Sequence, residues 1–295
     1  MIYYQHCPVC DGLDIHELFM ATDHTVSQEK FPIWHCNECT LRFTQSVPGA
    51  SEIGKYYQSA DYISHSDTRK GMVNNLYHLV RNITLKQKRE LISKQTGLPT
   101  GRLLDLGCGT GAFLSVMKEA GWTVKGLEPD EKARGLANQK GLVVEPANKL
   151  FDVAPFSFDV ITLWHVLEHV HELHPYMDQL RLVLEKKGCL FIAVPNYTSH
   201  DAGHYKESWA AYDVPRHLYH FSPQSMHALL QQHGLKAESV IPMWFDSFYV
   251  SMLSEQYRTG KGNIVSAISE GFYSNIMAMR DHTTCSSLIY CIKAV

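Results

Sequence analysis

Short apolar runs alternate with stretches of helical periodicity over most of this 295-residue chain. Apolar runs of about four to eight residues predict buried strands, and apolar positions recurring every three or four residues predict helices. The predicted strands are 102–106, 123–128, 142–144, 158–163, 189–194, 239–241 and 287–292. The predicted helices are 72–95, 112–120, 131–140, 173–184 and 222–234, with one or two more before the last strand. This alternation predicts an α/β fold with a parallel sheet covered by helices on both faces.

The first 71 residues lack this alternation. Residues 1–48 carry paired cysteines and short β-like stretches, whereas residues 49–71 are polar and rich in tyrosine. The helix predicted after them has one apolar stripe, formed by Leu76, Leu79, Val80, Ile83 and Leu91. We therefore expect a small domain at 1–48, a connector or flap at 49–71 and a main domain at 72–295.

Four of the eight cysteines form two close pairs near the N-terminus. Cys7 and Cys10 form one C-x-x-C knuckle, and Cys36 and Cys39 form the second. Four thiolates satisfy a tetrahedral zinc ion, and one tight turn can supply two of them. The alternative is an incidental arrangement of free thiols, but the paired spacing favours a structural zinc site in a zinc ribbon.

Composition narrows the expected partners and compartment. The chain has 27 basic and 30 acidic residues, so its net charge of -3 does not favour nucleic acid or a membrane surface as a partner. No apolar run reaches the roughly 18 residues of a membrane-spanning helix, and the N-terminus does not resemble a secretory signal. We expect a cytoplasmic protein that acts on a small molecule, and the sequence makes no prediction of its oligomeric state.

A glycine-rich loop follows the first predicted strand and opens a helix. It runs from Asp105 to Gly111, and its glycines allow a tight turn and a close approach of ligand to backbone. The G-x-G-x-G spacing differs from the G-x-G-x-x-G of dinucleotide-binding folds, and no Lys-Ser/Thr pair follows as in a phosphate loop. Glu128 ends the second strand, where an acid is placed to accept hydrogen bonds from both ribose hydroxyls of a nucleoside.

In these features the chain resembles the class I S-adenosylmethionine-dependent methyltransferases. The loop resembles their motif I, Glu128 resembles their ribose-binding acid, and residues 158–161 resemble their fourth-strand motif. The resemblance implies S-adenosylmethionine as the cofactor and a Rossmann-like, doubly wound seven-stranded sheet whose last strand is antiparallel. The cofactor-binding residues that it implies are Asp105, Gly107, Cys108, Gly109, Gly111, Glu128, Pro129, Ala147, Asn148, Trp164 and His165.

The segment from His165 to His169 matches H-x-x-E-H, which as a string is an inverted zinc-protease motif. A protease would need both histidines on one helix, whereas His165 follows a strand, at the ligand crevice of an open α/β sheet. The segment resembles the Glu-x-x-Glu-His stretch of ubiquinone-type O-methyltransferases, which is implicated in metal binding. Two interpretations follow: a metal site at His165, Glu168 and His169, or a loop in which Glu168 and His169 cap and orient the chain under the cofactor.

Residues 209–221 form a polar and aromatic insert after the fifth predicted strand, where the family builds its substrate cover. The insert is dense in groups that can act as a general base or orient an acceptor. The predicted catalytic residues are His165, His217, His220, Tyr212 and Arg216. The alternative for the residues of the insert is that they pack it against the sheet.

An N-terminal zinc ribbon joined to a class I methyltransferase resembles the sugar C-methyltransferases of deoxysugar biosynthesis. The resemblance implies a methyltransferase that acts on a small-molecule or sugar-related acceptor, at oxygen or at carbon. The alternative function is a zinc-ribbon binding module whose second domain binds S-adenosylmethionine as a non-catalytic scaffold.

Overall fold

Eleven strands lie in the residues that this computed structural model describes, which are 1–58 and 72–295, with only the backbone described for 72–82. The strands are β1 (Ile15–Thr22), β2 (Lys30–Cys36), β3 (Arg42–Thr44), β4 (Arg102–Leu106), β5 (Thr123–Leu127), β6 (Val144–Glu145), β7 (Phe158–Trp164), β8 (Leu184–Pro195), β9 (Tyr219–His220), β10 (Leu235–Pro242) and β11 (Ser287–Ala294). Residues 59–71 of the predicted connector lie outside the described residues.

The predicted helices are present in the described part of the chain. They are α1 (Met72–Thr96), α2 (Ala112–Glu119), α3 (Glu131–Gln139), α4 (Leu173–Val183), α5 (His200–Tyr205), α6 (Pro223–Gln232), α7 (Asp246–Thr259) and α8 (Ile264–Arg280). The side chains of Leu76, Leu79 and Val80, three members of the apolar stripe predicted on α1, lie outside the described set. None of the described helices has the length and apolar content needed to cross a bilayer.

The seven strands predicted from the sequence form one sheet, in the order β10-β11-β8-β7-β4-β5-β6. β4 pairs in parallel with β5 and with β7, and β5 pairs in parallel with β6. The last strands are antiparallel, so the predicted Rossmann-like, doubly wound sheet is confirmed. The middles of the central strands are apolar and fully buried, as a parallel sheet requires: Leu103, Leu104, Val160 and Ile161 are 0% exposed.

Contacts divide the described residues into two compact units. The first unit contains residues 1–58, 165–176 and 193–290, and the second contains residues 72–164, 177–192 and 291–295. The boundaries predicted from the sequence, at 1–48, 49–71 and 72–295, remain a prediction.

The first unit contains a four-stranded antiparallel sheet in the order β1-β2-β3-β9. Three of its strands come from the first 44 residues, and the fourth comes from the insert predicted to cover the substrate. Phe43 pairs with Tyr219, and Arg42 pairs with His220. The N-terminal segment therefore supports part of the insert directly, and this pairing determines the surroundings of several predicted site residues.

Candidate active site

The glycine-rich loop of the second unit connects β4 to α2. Gly107, Gly109 and Gly111 have φ angles of 64°, 54° and 76°, in the left-handed region that favours glycine. A side chain at Gly111 would clash with Leu142, whereas a Cβ atom at Gly109 would meet nothing within 4 Å. The backbone at Gly109 is therefore open to a ligand, and the first N–H groups of α2, which have no acceptor within the helix itself, lie beside it.

Glu128, which follows β5, holds this loop in place. It is 8% exposed, and its Oε2 accepts a hydrogen bond from the N–H of Gly109 at 2.8 Å while its Oε1 accepts one from the N–H of Asp130 at 2.9 Å. Each carboxylate oxygen keeps further acceptor capacity, so both can also accept from a ribose hydroxyl. Arg134 donates to the carbonyl oxygens of Glu128 and Pro129, which fixes the turn after the strand. Glu128 is therefore an anchor of the loop and is available to a nucleoside.

Asp105 lies behind the loop and is 2% exposed. Burial raises its pKa to about 7, although the hydrogen bond that its Oδ1 accepts from Thr162 at 2.6 Å acts in the opposite direction. Burial also raises the pKa of the Cys108 thiol, so this thiol is neutral near pH 7. A cationic ligand in the loop would stabilise the carboxylate form of Asp105, because an adjacent positive charge lowers the pKa of an acid.

The remaining predicted cofactor residues of the second unit are accessible. Ala147 and Asn148 begin a short 3-10 helix after β6, the first half-buried and the second exposed. Trp164 ends β7; its ring packs edge-on against Phe113, and the Lys88 Nζ lies 4.2 Å from its centroid. Its indole N–H is buried and has no hydrogen-bond partner among the described residues. An adenosyl group with a cationic sulfonium fits this set of loop, acids and aromatic ring.

The four predicted zinc ligands lie together in the first unit. Their Sγ atoms all lie within 4.8 Å of one another, with 3.5 Å between Cys7 and Cys39 and 3.5 Å between Cys10 and Cys36. Sulfur atoms around a tetrahedral zinc ion, at about 2.3 Å each, are roughly 3.8 Å apart, so the cluster fits zinc. The spacing follows from two tight turns, in which the N–H of Asp11 bonds to the Cys7 carbonyl and the N–H of Thr40 to the Cys36 carbonyl.

Glu168, His169 and His217 of the first unit each place one ligand atom within 4.8 Å of the other two. The Nδ1 of His169 lies 3.0 Å from the Arg216 carbonyl oxygen, and the Nδ1 of His217 lies 2.8 Å from the Ala211 carbonyl oxygen. Because a carbonyl oxygen only accepts, we assign the proton of each ring to Nδ1, which leaves a lone pair on each Nε2. Such a group can take a proton from a bound acceptor or coordinate a divalent metal.

Burial determines the charges in this cluster. Glu168 is 0% exposed, and neither of its carboxylate oxygens has a hydrogen-bond partner among the described residues. Burial alone would raise the pKa of Glu168, but the neighbouring histidines, with His165 only 3.5 Å away, lower it. Burial lowers the pKa of His169 to about 4. A charged carboxylate therefore stands beside a neutral imidazole at pH 7.

His165 lies between two acids rather than in this cluster. Its Nε2 lies 3.0 Å from the Oδ2 of Asp246, and its Nδ1 lies 3.5 Å from the Oε1 of Glu168. Burial alone would lower the pKa of His165, but the two acids raise it to about 10. His165 is therefore protonated at neutral pH and cannot act as a base there. Sequence reasoning missed Asp246, which lies in the first turn of α7 and belongs to no motif.

Arg216 is enclosed by the first unit. It is 1% exposed, and its guanidinium lies 2.6 Å from Asp213 and 3.0 Å from Asp23 while it donates to the Tyr56 carbonyl oxygen at 2.7 Å. Asp23 is held by its own turn, in which its carboxylate accepts from Thr25 and Ser27. These contacts occupy guanidinium N–H groups of Arg216 that the sequence analysis expected to act on the methyl acceptor.

Tyr212 and His220 are also bound by the N-terminal segment. The Tyr212 hydroxyl accepts a hydrogen bond from Arg42 at 2.6 Å, and the Nε2 of His220 lies 3.1 Å from the Thr44 hydroxyl. Burial lowers the pKa of His220 well below its usual range, so its ring is neutral. Of the predicted catalytic residues, the structure therefore places His217 beside Glu168 and His169, and it surrounds Tyr212, Arg216 and His220 with protein partners.

Replacing Arg216 with methionine should lower the free energy of unfolding by about 3–5 kcal/mol, because it leaves the buried Asp23 and the partly buried Asp213 without their shared cation. Urea denaturation measures the loss. The double variant Arg216→Met with Asp23→Asn should lose less than the single variant, since one of the two uncompensated charges is removed. A stability change below about 1 kcal/mol together with a loss of activity would instead assign Arg216 to catalysis.

Comparison with known proteins identifies the family. A family model described as a methyltransferase domain matches residues 79–240, which is more than half of the chain. The chain belongs to this methyltransferase family. It therefore carries an S-adenosylmethionine-dependent methyltransferase domain, and the glycine-rich loop and Glu128 both lie within the matched residues.

Three relatives illustrate how far the similarity reaches. The ubiquinone biosynthesis O-methyltransferase of Actinobacillus pleuropneumoniae serotype 5b (strain L20) is 32% identical over 117 residues, covering 36% of this chain and 50% of that protein. The C-methyltransferase NovU of Streptomyces niveus is 26% identical over 162 residues, covering 51% and 37%. A solved S-adenosylmethionine-dependent methyltransferase of Archaeoglobus fulgidus matches with a TM-score of 0.50 at 18% identity, over 73% of this chain and 94% of that one, which shows the fold alone. The chain spans about half or less of the length of these curated relatives.

Proposed function

We propose that this protein transfers a methyl group from S-adenosylmethionine to a small-molecule or sugar-related acceptor, at oxygen or at carbon. The observation that carries the proposal is the open, glycine-rich loop anchored by Glu128, in a chain of the methyltransferase family. The relatives support both kinds of acceptor atom, because one is named an O-methyltransferase and another a C-methyltransferase.

We propose that His217 removes the proton of the acceptor. S-adenosylmethionine, when bound, would supply the methyl group for an in-line transfer and leave as S-adenosylhomocysteine. A hydroxyl or an acidic carbon must lose a proton in this reaction, and the Nε2 of His217 carries the lone pair to take it. Glu168, charged and without a hydrogen-bond partner in the described residues, then stabilises the imidazolium that forms. The contact of His217 with the Ala211 carbonyl holds the ring in the required tautomer.

We assign a different role to His165. Because Asp246 and Glu168 keep it protonated, it contributes a fixed positive charge directly after Trp164 in the sequence. The positive charge of His165 partly offsets the negative charge of the two acids beside it, so the three side chains together stay negative and His165 orders this part of the site rather than attracting an anion. Arg216, Tyr212 and His220 position the insert.

The test is the His217→Gln variant, assayed by production of S-adenosylhomocysteine in a panel of phenols, sugars and sugar nucleotides. We expect a rate at least about 100-fold below wild type, the usual contribution of a general base, with the affinity for S-adenosylmethionine unchanged. His227→Gln, an exposed histidine of α6, is the matched control and should retain the wild-type rate.

Two results would contradict the proposal. A wild-type turnover rate in the His217→Gln variant would show that His217 is not the general base. Binding of S-adenosylmethionine with no turnover on any acceptor would favour the alternative function, a zinc-ribbon binding module with a non-catalytic cofactor scaffold.

A further inference from the structure

Helices α7 and α8 form an antiparallel pair within the first unit, joined by residues 260–263. The pairing direction is fixed near the start of α7, where Asn275 donates to the Trp244 carbonyl and accepts from the Ser247 hydroxyl. Small residues on the inner face of α8 allow the close approach: Ala267, Gly271, Ser274 and Ala278 are buried. One face of α8 is therefore buried against α7 and the rest of the unit.

The outer face of this pair is apolar and exposed. On α8 the exposed apolar side chains recur at the spacing of one helical stripe: Ile264 (68% exposed), Val265 (76%), Ile268 (52%), Phe272 (60%) and Met279 (71%). Phe245 and Met252 of the α7 segment add two more, at 36% and 43%. At roughly 150–250 Å² for a large side chain, this face presents on the order of 700 Å². The largest apolar patch of a typical monomer is about 300–600 Å².

The charges near this face disfavour a membrane as its occupant. Together α7 and α8 carry three acidic side chains, Asp246, Glu255 and Glu270, and two basic ones, Arg258 and Arg280. Arg258 is paired with Glu255 at 2.7 Å. Helices that lie on anionic membranes carry an excess of Lys and Arg on their polar face, and this pair does not.

We propose that a second copy of this chain docks on this face, with α8 against α8 of the partner across a twofold axis near Phe272. Two features support a self-complementary contact. The area matches the roughly 800 Å² that each partner buries in a stable interface, and the Phe and Met side chains with no charge among them match the composition of an interface core. Phe272 is the middle residue of α8. A twofold axis at this point places Phe272 against Phe272 of the second copy, and the start of each apolar stripe against the end of the other.

The experiment is sedimentation equilibrium of the full chain from about 1 to 100 μM. We expect wild type at twice the 33.5 kDa chain mass. Phe272→Asp should sediment as a monomer, with the dissociation constant raised at least 100-fold, because the twofold axis brings two carboxylates together. Phe272→Lys should behave in the same way. An equimolar mixture of the two variants should restore the dimer, which a folding defect would not do.

Leu136→Asp, a change at an exposed apolar residue of α3, is the matched control and should remain a dimer. A wild-type chain that is monomeric at 100 μM would overturn the proposal, as would a dimer that Phe272→Asp leaves intact. Flotation of a monomeric wild-type chain with vesicles of phosphatidylcholine and phosphatidylglycerol would also overturn it, and would assign the face to a membrane.

Discussion

Replacing Glu128 with alanine should weaken the binding of S-adenosylmethionine by about 10- to 100-fold, as measured by isothermal titration calorimetry. A hydrogen bond to a charged group contributes about 1.5–3 kcal/mol, and the substitution removes the acceptor for the ribose hydroxyls. It also releases the N–H groups of Gly109 and Asp130, which Glu128 holds at 2.8 and 2.9 Å. The loop would then have to be ordered by the ligand itself, at a further cost in affinity.

Two companion variants separate these effects. Glu131→Ala removes the same charge from an exposed position in the first turn of α3, and it should bind as wild type does. Glu128→Gln keeps one acceptor oxygen and should fall between alanine and wild type. If Glu128→Ala binds within a factor of about two of wild type, the ribose is held elsewhere and the assignment of Glu128 is wrong.

Replacing Cys36 with serine should abolish zinc binding and unfold the N-terminal sheet. Structural zinc contributes an apparent 10–16 kcal/mol to the folding of zinc-finger peptides, more than the whole stability of most domains. Cys36 is 0% exposed and pairs with Cys10 at 3.5 Å, so a serine there leaves an incomplete and buried ligand set. Because β3 pairs with β9, the loss should also expose the insert around His220 to protease.

Zinc content by inductively coupled plasma mass spectrometry, combined with limited proteolysis, checks this expectation. Wild type should contain about one zinc ion per chain, and Cys36→Ser close to none. Cys189→Ala, at a buried cysteine of β8 remote in sequence from the knuckles, should keep its zinc and its resistance to protease. A wild-type protein without zinc would contradict the prediction of a zinc ribbon. A Cys36→Ser variant as resistant to protease as wild type would contradict it as well.

Local sequence patterns were sufficient to predict the strands of the large sheet, whereas its antiparallel end was implied only by the family resemblance. β4 was predicted with its observed bounds, because its apolar run is bounded by turn residues on both sides. β8 begins at Leu184, earlier than predicted, because Lys186 and Lys187 are exposed at its start and carry no apolar signal. β9 has two residues and exists through its pairing with β3, which lies far away in the sequence, so no local pattern indicates it.

The cofactor loop could likewise be predicted from local sequence, whereas the surroundings of the predicted catalytic residues could not. The loop from Asp105 to Gly111 is contiguous, so its spacing alone indicates a nucleoside ligand. The surroundings of the histidines depend on residues distant in sequence: Asp246 determines the charge of His165, and Asp23 occupies Arg216. A histidine or arginine in the sequence shows which chemistry is available, whereas the partners that fix its protonation and access appear only in the folded chain.

Hydrogen exchange with and without saturating S-adenosylhomocysteine tests the central claim most directly, because it reports where the ligand binds without requiring a known acceptor. We expect slower exchange in peptides covering 105–111, 128–130 and 147–148, and unchanged exchange in the zinc-binding segment 7–39. Binding of the ligand with unchanged exchange at both 105–111 and 128–130 would show that the glycine-rich loop and Glu128 do not form the cofactor site.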